Sequence, residues 1–163
     1  MKKFAIAGLL LPLVALSACS KDEPTDSAGA LSEEELATML WDEIQGYESW
    51  DTPESWPENS VSADGTHGAY VSIYINDVEA AGGGDGAIIV KKGYDSAEGA
   101  DPKDGVTVMW KTADFESESG WFWAKYDDAG EASVTGEAGA CTGCHSASSD
   151  YQTYKSNSPG TEE

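Results

Sequence analysis

The residues best suited to chemistry lie near the end of the chain, where positions 141–145 read CTGCH. The chain has three cysteines, and the third, Cys19, lies far upstream. C-x-x-C-H is the attachment signature of a c-type haem. Two thiols at this spacing can bond the two vinyl groups on one porphyrin edge, and the adjacent imidazole can reach the iron. The pattern predicts one covalent haem c held by Cys141 and Cys144, with His145 as the axial iron ligand.

Three other uses of the same residues stay open at this point. A structural disulfide between Cys141 and Cys144 is one, although it would not need His145 and would close only a very small loop. A thioredoxin-like redox pair is another, but such pairs normally come early in a βαβ pattern. A zinc site would need a fourth ligand, which only His67 or a carboxylate could supply. The haem interpretation is preferred because it uses all three residues and, unlike a zinc site, needs no fourth protein ligand.

A haem iron held by His145 on one side has a second axial position. His67 and Met109 are the candidate sixth ligands, since His/Met pairing is typical of electron-transfer haems. Each could instead have an ordinary structural role. His67 could be hydrogen-bonded at the start of a strand, and Met109, in a strand of alternating pattern, could pack in the core. If neither binds iron, the distal side can accept a small molecule.

One helix and several strands must position these residues. Ser32 and Glu35 form a capping-box pattern, which predicts a helix start. Apolar residues then recur at helical spacing: Leu36, Met39, Leu40, Ile44 and Tyr47. Alternating β-branched and aromatic residues predict strands over 67–76, 86–92, 105–112 and 120–127, with a shorter one at 131–135. A short helix from about residue 141 to 148 completes an α+β domain, mainly an antiparallel β sheet.

Four aromatic residues near the predicted third and fourth strands could line an apolar pocket around the haem. They are Trp110, Trp121, Phe122 and Trp123. Packing of the sheet against the helix is their alternative role.

The first nineteen residues have the plan of an export signal, with a basic start followed by a short apolar run. Positions 16–19 read LSAC, which resembles a bacterial lipobox and predicts lipidation of Cys19. An ordinary cleaved signal is the alternative. We therefore divide the chain into a signal peptide (1–19), a flexible tether (20–31), a haem domain (32–154) and a disordered tail (155–163). The expected location is the outer membrane or cell envelope, lipid-anchored and facing the periplasm or exterior.

Charge limits the partners of the protein. Thirty acidic residues stand against nine basic ones, giving a formal charge of −21. Such a surface repels phosphate backbones, which excludes nucleic-acid binding as a function. It favours a cationic redox partner.

Several blocks of the sequence, in order, resemble the cytochrome P-460 family. They read GTHGAYVSIYIND, DGAIIVKKGY, GVTVMWK, GWFWAKYDDAG and CTGCHSASSDY, and the likeness runs across roughly residues 36–151. The resemblance implies a mainly antiparallel β fold, often a homodimer, with one c-type haem near the chain end and an open distal face on the iron. The family includes hydroxylamine-oxidising enzymes and the β-sheet cytochromes c′, which bind nitric oxide.

These two branches leave the function open between an oxidoreductase and a non-enzymatic protein. In the hydroxylamine-oxidising members a lysine is cross-linked to the porphyrin, and the resemblance places that lysine in a stretch that here reads NDVEAAGGGDG and contains none. Lys91 and Lys92 on the next strand are the remaining candidates, although both are expected to be solvated. The hypothesis is redox chemistry or binding of small nitrogen oxides, of the hydroxylamine or nitric oxide type. The alternative is an electron-transfer or gas-binding lipoprotein of the cell surface.

Overall fold

The computed structural model of the chain describes residues 30–62 and 65–156. The predicted signal peptide with Cys19, nearly all of the tether and the tail beyond Ser156 lie outside these ranges. No helix within the described ranges is long and apolar enough to cross a membrane.

The described elements are four helices and six strands, joined by turns. The helices are α1 (Glu33–Glu43), α2 (Asp77–Ala80), α3 (Gly139–His145) and α4 (Thr153–Ser156). The strands are β1 (Ser60–Val61), β2 (Tyr70–Ile75), β3 (Ile88–Tyr94), β4 (Val106–Trp110), β5 (Phe122–Tyr126) and β6 (Ala132–Gly136). Short 3₁₀ turns occur at Tyr47–Ser49 and Ser149–Tyr151.

The six strands form one antiparallel meander in the order β1-β2-β3-β4-β5-β6. Each strand pairs with the strand before it, so that Lys91 of β3 faces Thr107 of β4, which faces Lys125 of β5. Gly105 enters β4 at a φ of 70°, and a Cβ there would collide with the carbonyl of Tyr126. Only glycine fits that approach. The predicted α+β fold, mainly antiparallel sheet, is confirmed.

One face of the sheet is covered by α1. The helix begins at the predicted capping box, since the Ser32 hydroxyl accepts a hydrogen bond from the Glu35 amide at 3.2 Å and the Glu35 carboxylate accepts one from the Ser32 amide at 2.8 Å. Its apolar stripe packs on alternate strand residues to form the α1-side cluster. The buried members are Leu36, Ala37, Leu40, Ile44, Tyr74, Ile88, Val90, Val106, Val108, Phe122, Ala124 and Tyr126.

The opposite face of the sheet is covered by the end of the chain. The α3-side cluster consists of Trp56, Val71, Ile73, Ile75, Ala87, Ile89, Met109, Trp121, Trp123 and Tyr154. Cys141 and Tyr151 pack against it. The sheet is therefore buried on both faces, which explains why its strands carry apolar residues at consecutive positions.

Two details differ from the sequence-based expectation. Met39 was placed in the apolar stripe of α1, but it is 48% exposed because it lies on the solvent side of the helix. The four aromatic residues proposed to line one pocket lie on opposite faces, with Trp121 and Trp123 in the α3-side cluster and Phe122 and Trp110 packed on the other side. Successive side chains of a strand point to opposite faces, so consecutive aromatic residues cannot share one lining.

The hydroxyl of Tyr126 ties β5 to α1 and gives a testable effect on stability. It donates a hydrogen bond to the carbonyl of Ala37 at 2.7 Å within the buried core, and burial raises the pKa of this phenol. Tyr126→Phe should lower the free energy of unfolding by about 1 kcal/mol, because the ring remains and only the bond is lost. Urea denaturation would measure the change. A variant as stable as the wild type would show that the bond contributes nothing.

Candidate haem site

Helix α3 carries the whole C-x-x-C-H pattern on the α3-side cluster. It ends at His145, and its two cysteines lie one helical turn apart. Cys141 is half-buried and Cys144 is exposed, and neither of these described cysteines is in a disulfide. Burial raises the pKa of the Cys141 thiol, while the positive charge of nearby Lys91 acts in the opposite direction. Two reduced thiols and an imidazole on one turn match the donor set that a c-type haem requires.

His145 is the most constrained of the three residues. It is only 7% exposed, and its Nδ1 lies 2.8 Å from the carbonyl oxygen of Tyr151. Because a carbonyl only accepts, Nδ1 is protonated in this contact, and Nε2 is then the nitrogen suited to coordination. The Trp123 ring meets the imidazole edge to face, with ring centres 4.8 Å apart. Two independent contacts therefore fix the orientation of the ring.

The Tyr151 carbonyl belongs to a segment that we call the strap, residues 149–156, which crosses the α3-side cluster after α3. Asp150 and Tyr151 have left-handed φ values of 50° and 59°. Such values are uncommon for residues other than glycine and persist only where surrounding contacts hold them. The Trp121 indole donates to the Asp150 carbonyl at 3.0 Å, and Lys111 pairs with the Asp150 carboxylate at 2.6 Å. The strap is thus fastened at Asp150, the residue that precedes the carbonyl in contact with His145.

His67 lies close to this site but in a turn, since β2 begins only at Tyr70. Its Nδ1 is 3.3 Å from the Thr107 hydroxyl. The centres of the His67 and His145 rings are 6.3 Å apart, with their planes nearly perpendicular. The His67 carbonyl packs directly on Gly93, where a Cβ would collide with it. The structure brings the two histidines of the chain together.

Met109 lies on the same face of the sheet, in the interior of the α3-side cluster. It is 7% exposed, and its cross-strand neighbours are Ile89 and Trp123. This environment is that of a packed core residue.

The two lysines considered for a porphyrin cross-link are separated by the sheet. Lys92 is 9% exposed on the α1 side, where its ammonium donates to the Gly105 carbonyl at 3.0 Å and pairs with Asp128 at 3.3 Å. The expectation that it is solvated is wrong, because the alternation that buries Ile88 and Val90 on the α1 side also points Lys92 inward. Lys91 lies on the other face, near Cys141.

Sequence reasoning missed Glu79, a carboxylate with 0% side-chain exposure in α2. It accepts hydrogen bonds from the Tyr154 hydroxyl and the Lys155 ammonium, each at 2.6 Å. The local signal was Asn76 followed three residues later by Glu79, a capping pattern that the structure forms through the Asn76 side chain. Lys155, assigned to the tail from the sequence, lies in α4 and joins this network.

No group of three or more His, Cys, Asp or Glu side chains within 30–62 and 65–156 is arranged to hold a metal ion. The zinc alternative therefore finds no ligand set among these residues.

A comparison with known protein families assigns a family to the part of the chain that contains the sheet and helix α3. Residues 44–154, more than half of the chain, match the family described as cytochrome P-460. By class, the molecule is a mainly β haem protein. The chain belongs to the cytochrome P-460 family, for which the cofactor is a c-type haem, and the resemblance predicted from the sequence is confirmed. No curated protein matches the chain.

Proposed function

We propose that the protein holds one haem c covalently through Cys141 and Cys144, with His145 on the iron, and binds or turns over small nitrogen oxides at the opposite side. The observation that carries this proposal is the imidazole of His145, buried and oriented by Tyr151 and Trp123 on the same helix as both thiols. A haem bound in this way supplies a redox-active iron with a coordination position for a small ligand.

The residues of the chain would each perform a separate task. The thiols of Cys141 and Cys144 would fix the porphyrin edge, and the Tyr151 carbonyl would raise the basicity of His145 by accepting a hydrogen bond from its Nδ1–H. The α3-side cluster keeps water from the site. Met109 contributes packing in this proposal and not a sixth ligand.

The choice between hydroxylamine oxidation and nitric oxide binding depends on Lys91. Only this lysine of the two candidates shares a face with α3. Absorption spectra of the exported protein, recorded oxidised, reduced, and reduced with nitric oxide, test both the proposal and the branch. The enzyme is favoured if the wild type has a red-shifted reduced Soret band that is lost in Lys91→Ala and kept in Lys92→Met. An ordinary c-type spectrum that responds to nitric oxide favours gas binding, and a chain without haem contradicts the proposal.

Replacement of His145 tests the axial role directly. His145→Ala should leave haem on the two cysteines, in normal or reduced amount, and change the iron spectrum in both oxidation states, because the strong-field imidazole is gone. The spectra of purified variant and wild type would be compared at equal haem concentration. An unchanged spectrum would rule out His145 as the ligand.

A second function, electron transfer at a six-coordinate haem, is favoured by the 6.3 Å between the His67 and His145 rings. The proximity of the two rings would let both imidazoles serve as ligands of one haem iron, which would make it six-coordinate. If His67 binds iron, His67→Ala should convert a nitric oxide-insensitive, six-coordinate spectrum into a ligand-sensitive one. Met109→Leu is the matched control and should leave the spectrum unchanged. A wild type that already binds nitric oxide readily, with no change in His67→Ala, contradicts this second function.

The cellular setting remains part of the proposal. Lipidation of Cys19 would anchor the protein in the outer membrane or cell envelope, facing the periplasm or exterior. The charge of −21 supports a cationic redox partner and disfavours nucleic acid. The homodimer implied by the family can be tested by analytical ultracentrifugation of the unlipidated protein.

A further inference from the structure

Glu79 is the centre of a buried polar network that lies outside the expected haem contacts. Its Oε1 accepts from the Tyr154 hydroxyl and the Lys155 ammonium, both at 2.6 Å, and its Oε2 accepts from the Gln152 amide at 3.3 Å. All three donors belong to the strap, while Glu79 belongs to α2, more than seventy positions earlier. A buried carboxylate is costly unless it is paired and hydrogen-bonded, and this one has both kinds of partner.

The strap in turn controls the contact made to His145. Gln152 directly follows Tyr151, whose carbonyl accepts a hydrogen bond from the Nδ1–H of His145 at 2.8 Å. Tyr151 and the preceding Asp150 adopt left-handed backbone conformations, which are maintained only by surrounding contacts. Trp121 and Lys111 hold the strap before Tyr151, and Glu79 holds it after Tyr151. Without the second attachment, the turn would be free to relax and move its carbonyl.

We propose that Glu79 is a positioning residue for His145: it fixes the strap so that the Tyr151 carbonyl stays on Nδ1 of the imidazole. This inference rests on the proposed function, in which His145 binds the haem iron. A hydrogen bond at Nδ1 increases the basicity of the ligating nitrogen, which favours ferric over ferrous iron. Glu79 therefore sets the reduction potential of the haem from a distance and without touching it.

The test uses the exported, haem-loaded full chain and compares Glu79→Ala with Glu79→Gln and Tyr154→Phe. Asp128→Asn is the control. Like Glu79, Asp128 pairs with a lysine, but it does so on the α1 side of the sheet, where it also accepts a hydrogen bond from the Gly105 amide. The midpoint potential is measured by redox titration, and the iron–histidine stretching band of the reduced protein by resonance Raman spectroscopy. Glu79→Ala should raise the midpoint potential. At the wild-type midpoint, the ratio of ferrous to ferric protein should then be about tenfold higher, which corresponds to about 59 mV for one electron. Glu79→Gln and Tyr154→Phe should shift it less, and Asp128→Asn should not shift it.

In a five-coordinate haem, the stretching band should also move to lower frequency in Glu79→Ala. A haem-loaded Glu79→Ala protein with wild-type potential would overturn the positioning role and leave the proposed function intact. If Glu79→Ala does not fold, Tyr154→Phe decides, since it removes one hydrogen bond and keeps the ring; a wild-type potential in that variant overturns the inference equally. A wild-type protein that carries no haem overturns both the inference and the proposed function.

Discussion

A chain in which both Cys141 and Cys144 are replaced by alanine is expected to lose all covalent haem. The two thiols are the only cysteines within the described residues, and they lie on the helix that ends at the buried His145. Without a thioether bond, a denatured chain has nothing to retain the cofactor, whatever the imidazole does. Haem-dependent peroxidase staining after denaturing electrophoresis should fall from full signal to background.

The third cysteine of the chain provides a matched control for this result. Cys19→Ser should stain as strongly as the wild type, and under the proposed lipidation it should move from the membrane to the soluble fraction. Staining that persists in the double alanine variant would contradict covalent attachment at these cysteines. A wild-type protein that never stains, and whose thiols are oxidised after export, would favour the disulfide interpretation instead.

The largest expected effect on stability is at Phe122. This residue is 0% exposed, and its ring makes edge-to-face contacts with Phe115 at 5.1 Å and Trp110 at 6.2 Å between ring centres. Phe122→Ala should lower the free energy of unfolding by about 3–5 kcal/mol, because the change removes buried area and leaves a cavity. Denaturant titration would measure the loss.

Phe122 lies on the α1 side of the sheet, so the molecules that remain folded should keep the wild-type haem spectrum. Val78→Ala is the comparison, since Val78 is 38% exposed and its truncation should change stability by less than about 0.5 kcal/mol. Equal stability of the two variants would mean that the core does not depend on the Phe122 ring.

Much of this fold could be predicted from local sequence patterns, because the strands and the start of α1 are specified by neighbouring residues. Alternation located the five longer strands to within a few residues, and the capping box located the start of α1. The two-residue strand β1 was missed, since it lies in a stretch rich in proline and polar residues and is defined only by its pairing with β2. A strand of that length carries no periodicity of its own.

The candidate site was predictable only in part. The C-x-x-C-H pattern identified α3, but nothing in a local window indicates that Tyr151 would turn back to His145 or that Glu79 would be buried by residues 152–155. Those contacts connect segments far apart in sequence. Lys92 is different, because its wrong assignment as a solvated residue was avoidable: alternation from Ile88 through Val90 places Lys92 on the same face as those two residues.

The order of the strands in the meander also bears on when the parts of the molecule form. Every strand pairs with its immediate predecessor, and the long-range closures are made by α1, as between Glu33 and Thr135, and by the strap. Pairing of this kind has low contact order and proceeds readily from the first strands onward. The sheet can therefore form before α3 packs against it. In a chain that emerges N-terminus first, Cys141 and Cys144 would become available for haem attachment only after the strands of the sheet have emerged.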